Sequence, residues 1–146
     1  MTENIMKKSD VEGFERNLVD LNNAYRKHGE YIKAKYKVSA LEMEILQYIS
    51  LQGPQKMKDI GEHFNIKLST LTSIIDKIEK QKLVKRVNSK EDRRVVYLEP
   101  SRKGNRLYSD YSRYLQAVSQ KMSETLGAEQ FRSFLRGIRG ISDLPF

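Results

Sequence analysis

Apolar side chains recur along most of this chain at alternating steps of three and four. From Val11 the series runs through Phe14, Leu18, Leu21, Tyr25, His28 and Ile32, the spacing of one face of an α-helix. A helix over about 11–35 would reach roughly 37 Å at 1.5 Å per residue, more than a small core needs. Two readings fit it, a surface helix on its own domain and an oligomerisation helix, and the second is favoured.

Ser39 followed by Glu42 forms a capping-box pattern. It predicts a helix over about 40–50 with Leu41, Ile45, Tyr48 and Ile49 inward, broken by Gly53–Pro54. A short helix over about 56–64 follows, with Met57, Ile60 and Phe64 on one face. After a tight turn, a helix over about 67–81 places Leu68, Leu71, Ile74, Ile75 and Ile78 inward. Two short helices around such a turn make a candidate helix-turn-helix. The runs LVKRV (83–87) and VVYL (95–98), separated by a polar, mostly charged stretch, predict a β-hairpin with a basic tip. Pro100 stops its second strand and Ser101 caps the next helix, over about 102–126 with Leu107, Tyr111, Tyr114, Leu115, Val118, Met122 and Leu126 at helical spacing. Gly127 suits a helix end, and a last helix over about 128–141 offers Phe131, Phe134, Leu135, Ile138 and Ile141. The expected fold is mainly α with a small β-hairpin wing: a winged helix-turn-helix flanked by N- and C-terminal dimerisation helices. The expected division is 1–36, 37–101 and 102–146.

Composition narrows the functions open to this fold. The chain has 146 residues, enough for a core without metal or disulfide support. It contains no cysteine, which excludes a disulfide framework, a thiol nucleophile and a cysteine-held zinc site. Its two histidines, His28 and His63, fall on different helices, and no glycine-rich phosphate loop is present. Catalysis is therefore not expected, nor is a cofactor or a metal site. No apolar run is long enough to span a membrane and the N-terminus lacks a signal-like apolar stretch, so a cytoplasmic protein is expected.

The net charge of +8 is displaced toward the middle. Residues 1–55 carry 8 basic and 8 acidic side chains, residues 56–104 carry 13 and 7, and residues 105–146 carry 6 and 4. A local excess of +6 on the candidate helix-turn-helix suggests a polyanion-binding module.

The chemistry of that segment agrees. Opposite its apolar stripe, the helix over about 67–81 carries Ser69, Ser73, Asp76, Lys77 and Lys80, with Thr70 and Thr72 on the flanks. A major-groove helix needs short side chains near the bases, donors for base edges and cations toward phosphates. Ser69, Thr70, Thr72, Ser73 and Lys77 meet that need, although a solvated helix face has the same composition. Lys90, Glu91, Asp92, Arg93 and Arg94 crowd the hairpin tip. Beside a helix-turn-helix, such a tip fits a wing in the minor groove, where arginine is favoured. Arg94 is the expected inserted side chain, aimed by the Asp92 carboxylate through a charge-assisted bond. Lys82, Lys85 and Arg86 are placed to meet phosphate.

Residues 53–104 resemble the winged helix-turn-helix of the MarR family of bacterial transcriptional regulators. The resemblance is carried by KMKDIGEHFNIKLSTLTSIIDKIEKQKLVKR and KEDRRVVYLEPSRKG. The family's Asp-x-Arg wing pattern falls on Asp92 and Arg94, its following glycine on Gly104, and the arginine that closes its first wing strand on Arg86. The flanking helices match the family layout in order, so the resemblance extends over about 11–141. Lys82 departs from the family, standing where a glycine is usual before the first wing strand, and Glu99-Pro100-Ser101 replaces the usual Leu-Thr.

The resemblance implies a homodimer with two winged helices on a pseudo-palindromic duplex DNA operator. It also implies repression in a bacterial cytoplasm, on the nucleoid when bound, relieved in many members by a small-molecule effector. Tyr25, His28, Tyr36, Tyr48 and Tyr111 are the candidates for an effector pocket, and each fits a structural core position as well. The competing reading is a winged-helix adaptor for RNA or protein, since fold alone does not fix function.

Overall fold

A computed structural model describes residues 6–92 and 94–141. The elements in chain order are α1 (Lys8–Tyr36), α2 (Ala40–Gln52), β1 (Gln55–Lys56), α3 (Met57–His63), α4 (Leu68–Lys80), β2 (Val84–Asn88), β3 (Val96–Pro100), α5 (Arg102–Leu126) and α6 (Ala128–Ile141). The chain divides into two compact units, Met1–Tyr111 and Ser112–Phe146, with the boundary inside α5. No helix among the described residues is long and apolar enough to cross a membrane.

The predicted helices form, and their ends have identifiable causes. The Ser39 hydroxyl accepts from the Glu42 N–H at 3.2 Å while the Glu42 carboxylate accepts from the Ser39 N–H at 2.9 Å, so the capping box starts α2. α2 stops at Gly53, whose φ of 82° is open to glycine and strained for other residues. α1, α3 and α4 end differently. Lys37, Asn65 and Lys82 are the non-glycine residues with positive φ among the described residues. In each case the next residue's N–H reaches back to a helix carbonyl, as from Leu83 to Ile78 at 2.9 Å and from Ile66 to Gly61 at 2.8 Å. This is the Schellman closure without glycine. Lys82 thus keeps the left-handed cap that the family's usual glycine would supply, at a cost of roughly 1 kcal/mol.

The sheet has three strands in the order β1-β3-β2, one more than the predicted hairpin. β1 is only two residues long, and it pairs antiparallel to β3 through Gln55–Leu98 and Lys56–Tyr97. β2 pairs with the other edge of β3, from Val84–Pro100 to Asn88–Val96. Pro100 therefore lies at the end of the strand and not beyond it. A proline is tolerated there because its missing N–H costs no central ladder bond.

The core of the first unit joins Ile32 of α1, Met43, Ile45, Leu46 and Ile49 of α2, Ile60, Leu71, Ile75, Ile78, Leu83, Leu98 and Leu107. Truncating one of these, such as Ile75 to alanine, removes about 2–5 kcal/mol. α5 enters this core through an unusually close approach. The Ser101 hydroxyl caps it, accepting the Gly104 N–H at 3.0 Å. A Cβ on Gly104 would lie 2.0 Å from the Leu83 carbonyl oxygen, the atom that accepts the Ser101 N–H at 2.9 Å. Only a hydrogen fits there.

Among the described residues the second unit has no comparable core. α6 buries none of its residues, the rings of Phe131 and Phe134 stack at 6.5 Å, and Leu135, Ile138 and Ile141 are exposed. The N-terminal half of α1 is likewise uncovered at Val11, Phe14 and Leu18.

Candidate DNA-binding surface

The surface is built from α4 and the loop joining β2 to β3. α4 turns Leu71, Ile75 and Ile78 into the core, which leaves Ser69, Thr70, Thr72 and Ser73 exposed. Thr72 donates its hydroxyl proton to the Leu68 carbonyl at 2.8 Å, and Ser73 donates to the Ser69 carbonyl at 3.2 Å. With those protons turned inward, the two oxygens face outward as acceptors. They therefore suit amino groups on base edges. Ser69 and Thr70 make no such bond among the described residues, so both can donate.

Leu68 is the clear departure on this helix. It was expected in the core and is 59% exposed. It sits in the first turn, where the stripe of core residues has already run off the end of the packed interior. It lines a groove of about 680 Å³ between α4 and the wing, together with Met57, Thr72, Arg94 and Val95.

The loop is held by two short side chains. The Ser89 hydroxyl accepts the N–H groups of Glu91 and Asp92 at 3.2 and 3.3 Å. The Asp92 carboxylate accepts the Arg94 backbone N–H at 2.9 Å. Asp92 thus places Arg94 through the main chain, not through the guanidinium bond expected. The Arg94 side chain is exposed and in no ion pair among the described residues. Lys90 and Asp92 are exposed beside it, while Arg93 lies outside the described residues.

Three cations assigned to DNA are engaged within the protein, Lys85 with Glu99 on the neighbouring strand at 3.1 Å. Lys77 reaches the Glu42 carboxylate at 2.6 Å, and Glu42 is almost fully buried. The spare oxygen of the capping box thereby ties α4 to α2. Arg86 on β2 bonds to Asp76 at 2.6 Å and also to Glu79, both on α4. It fastens the wing to the recognition helix, and its charge is already answered by two carboxylates. Spacing could have signalled this pair: Asp76 and Glu79 stand one turn apart on one helix face.

The effector candidates separate into two groups. Tyr25 and Tyr111 meet edge to face at 5.8 Å. The Asp110 carboxylate accepts from Tyr36 at 2.8 Å and from Lys35 at 2.9 Å, and its backbone carbonyl accepts from His28 Nε2 at 2.9 Å. Burial, then the contact with Tyr111, raises the Tyr25 phenol above its usual pKa. Burial, then the bond to Asp110, raises that of Tyr36. Tyr48 lies elsewhere: it stacks on His63 at 4.1 Å and meets Phe64 edge to face.

Two short helices at a tight turn, the second presenting small polar residues, with a basic two-stranded tip braced to it, define a winged helix-turn-helix of the nucleic-acid-binding class. Comparison with known proteins makes the class specific. A family model described as MarR family matches residues 38–96, which run from the start of α2 to the start of β3. The HTH-type transcriptional regulator YfiV of Bacillus subtilis is 27% identical over 108 residues, covering 74% of this chain and 68% of that protein. FabT of Streptococcus pneumoniae, solved in complex with DNA, superposes with a TM-score of 0.66 at 21% identity over 91% of this chain and 95% of that one. NadR, solved with 4-hydroxyphenylacetate, superposes with a TM-score of 0.60 at 19% identity over 99% of each chain. Residues 38–96 thus resemble the MarR family, and the chain has the winged helix-turn-helix fold of these solved regulators.

Proposed function

We propose that this protein represses transcription as a homodimer on a pseudo-palindromic duplex operator, and that a small-molecule effector releases it. The observation that carries the reading is the exposed Arg94, in no ion pair among the described residues and with its backbone N–H held by Asp92, next to a helix face of small hydroxyl side chains. α4 enters the major groove and reads base edges with Ser69, Thr70, Thr72 and Ser73. Lys90 and Arg94 follow the backbone into the adjacent minor groove.

Dimerisation is supported by the uncovered apolar residues on α1 and α6, such as Phe14 and Ile141 at 56% and 52% exposure. On this reading 1–36 and 102–146 serve pairing, and 37–101 serves DNA. The effector binds beside Tyr25, His28, Tyr36 and Tyr111; the hydroxylated aromatic acid held by NadR supports trying that ligand class first.

The test is selection of a preferred duplex from a random library, then titration over a salt series with and without aromatic acids. A preferred inverted repeat with a steep salt slope is expected. Equal affinity for every duplex, or tighter binding to single-stranded RNA, overturns the operator reading. A monomer in sedimentation at micromolar concentration rejects the dimer.

A further inference from the structure

We infer that Leu68 is a specificity-determining residue that reads the C5-methyl group of a thymine in each half-site. The inference rests on the DNA-binding reading of α4 given above. Leu68 is a large apolar side chain, 59% exposed, in the first turn of the helix that faces the bases. Its neighbours on the exposed face are Ser69 and Thr72, and the groove it lines has an apolar floor that includes Met57 and Val95, with Lys56, Lys58 and Arg94 at its edge and Asp76 held by Arg86.

An exposed apolar side chain among several cations, on the polar face of a helix-turn-helix, is a poor match for a protein core. It matches a polyanion with one apolar feature within reach of a helix N-terminus. On the base edges of the major groove, that feature is the thymine methyl group; the other groups displayed there are hydrogen-bond donors and acceptors. The first turn of a recognition helix is the part that approaches base edges most closely. Leu68 thereby adds a preference that hydroxyl groups cannot supply, because they do not distinguish thymine from uracil.

The probe is the duplex selected by the wild-type protein, resynthesised with each thymine in turn replaced by uracil, which deletes the methyl group and keeps the pairing. For wild type, one symmetric position is expected to weaken binding about 3- to 10-fold per half-site, the range for burying one methyl group in a packed contact. Leu68→Ala is expected to bind the thymine duplex more weakly by a similar factor and to be indifferent to uracil at that position. Leu68→Met is expected to recover part of the discrimination. Because the side chain is exposed, the alanine variant is expected to keep the wild-type melting temperature.

A wild-type protein insensitive to every uracil exchange overturns the inference. So does a Leu68→Ala protein that discriminates as well as wild type. Both outcomes leave the operator reading intact. Failure to select any preferred duplex refutes the operator reading itself, and this inference with it.

Discussion

Replacing Arg86 with methionine separates the two roles open to this side chain. The guanidinium is 31% exposed, and its partners Asp76 and Glu79 are 48% and 35% exposed. Fully exposed pairs contribute about 0.2–1 kcal/mol each. Partial burial and two charge-assisted bonds from one guanidinium place this bracket near the top of that range for each contact. Methionine keeps the hydrophobic stem, so the loss should be about 1.5 kcal/mol, or roughly 4 °C in melting temperature for a chain of this size. Binding to DNA should also weaken, because two carboxylates on α4 lose their counter-charge. At about 10 Å in water each would repel a phosphate by roughly 0.4 kcal/mol before salt screening. The decisive measurement is the dependence of affinity on salt. Each phosphate contact contributes about 0.9 to the logarithmic slope. Arg94→Ala should flatten the slope by about 0.9 per wing and leave the melting temperature unchanged. Arg86→Met should lower the melting temperature and leave the slope within error of wild type. If Arg86→Met flattens the slope as much as Arg94→Ala and leaves stability intact, Arg86 faces phosphate and the bracket does not exist in solution.

Further outcomes follow from the same contacts. Gly104→Ala should destabilise the chain by at least about 2 kcal/mol in chemical denaturation, since its Cβ would meet the Leu83 carbonyl oxygen at 2.0 Å; an unchanged midpoint would show that α5 does not approach β2 so closely. Lys82→Gly should stabilise by up to about 1 kcal/mol in the same assay, because Lys82 holds a φ of 60°; a loss of stability would show that the strain is absent or that the lysine stem packs. The raised Tyr25 pKa means that the folded state favours the neutral phenol. Its contribution is present below the ordinary phenol pKa of about 10 and declines as pH rises above it. Tyr25→Phe should therefore flatten the fall in melting temperature between pH 9 and 11, and an identical fall in the variant would refute this.

The helices were legible because each keeps one apolar face in register over several turns, and their ends carry recognisable signals such as Ser39 with Glu42 and Ser101. For the candidate surface, the sequence placed small hydroxyl residues on the exposed face of α4 and basic residues in the loop before β3, and both positions hold in the structure. What escaped were features that depend on the third dimension. A two-residue strand such as β1 has no periodicity of its own and exists only because β3 offers it an edge. A helical wheel reports direction around the axis and not position along it. It therefore placed Leu68 with the core stripe, although the packed interior ends before that turn. The engagement of Lys77 with Glu42 arises between elements whose separation no spacing rule gives. The left-handed cap at Lys37 was hidden for a plainer reason: no glycine marks it.

The short strand that precedes α3 has a mechanical meaning. β1 and β2 grip opposite edges of β3, and Arg86 clamps β2 to α4. The wing is therefore fastened at both ends to the helices that flank the turn, and cannot swing without breaking a ladder on one side and an ionic clasp on the other. The lobe behaves as a gauge of fixed span, in which the distance from the recognition helix to the wing tip is set once by folding.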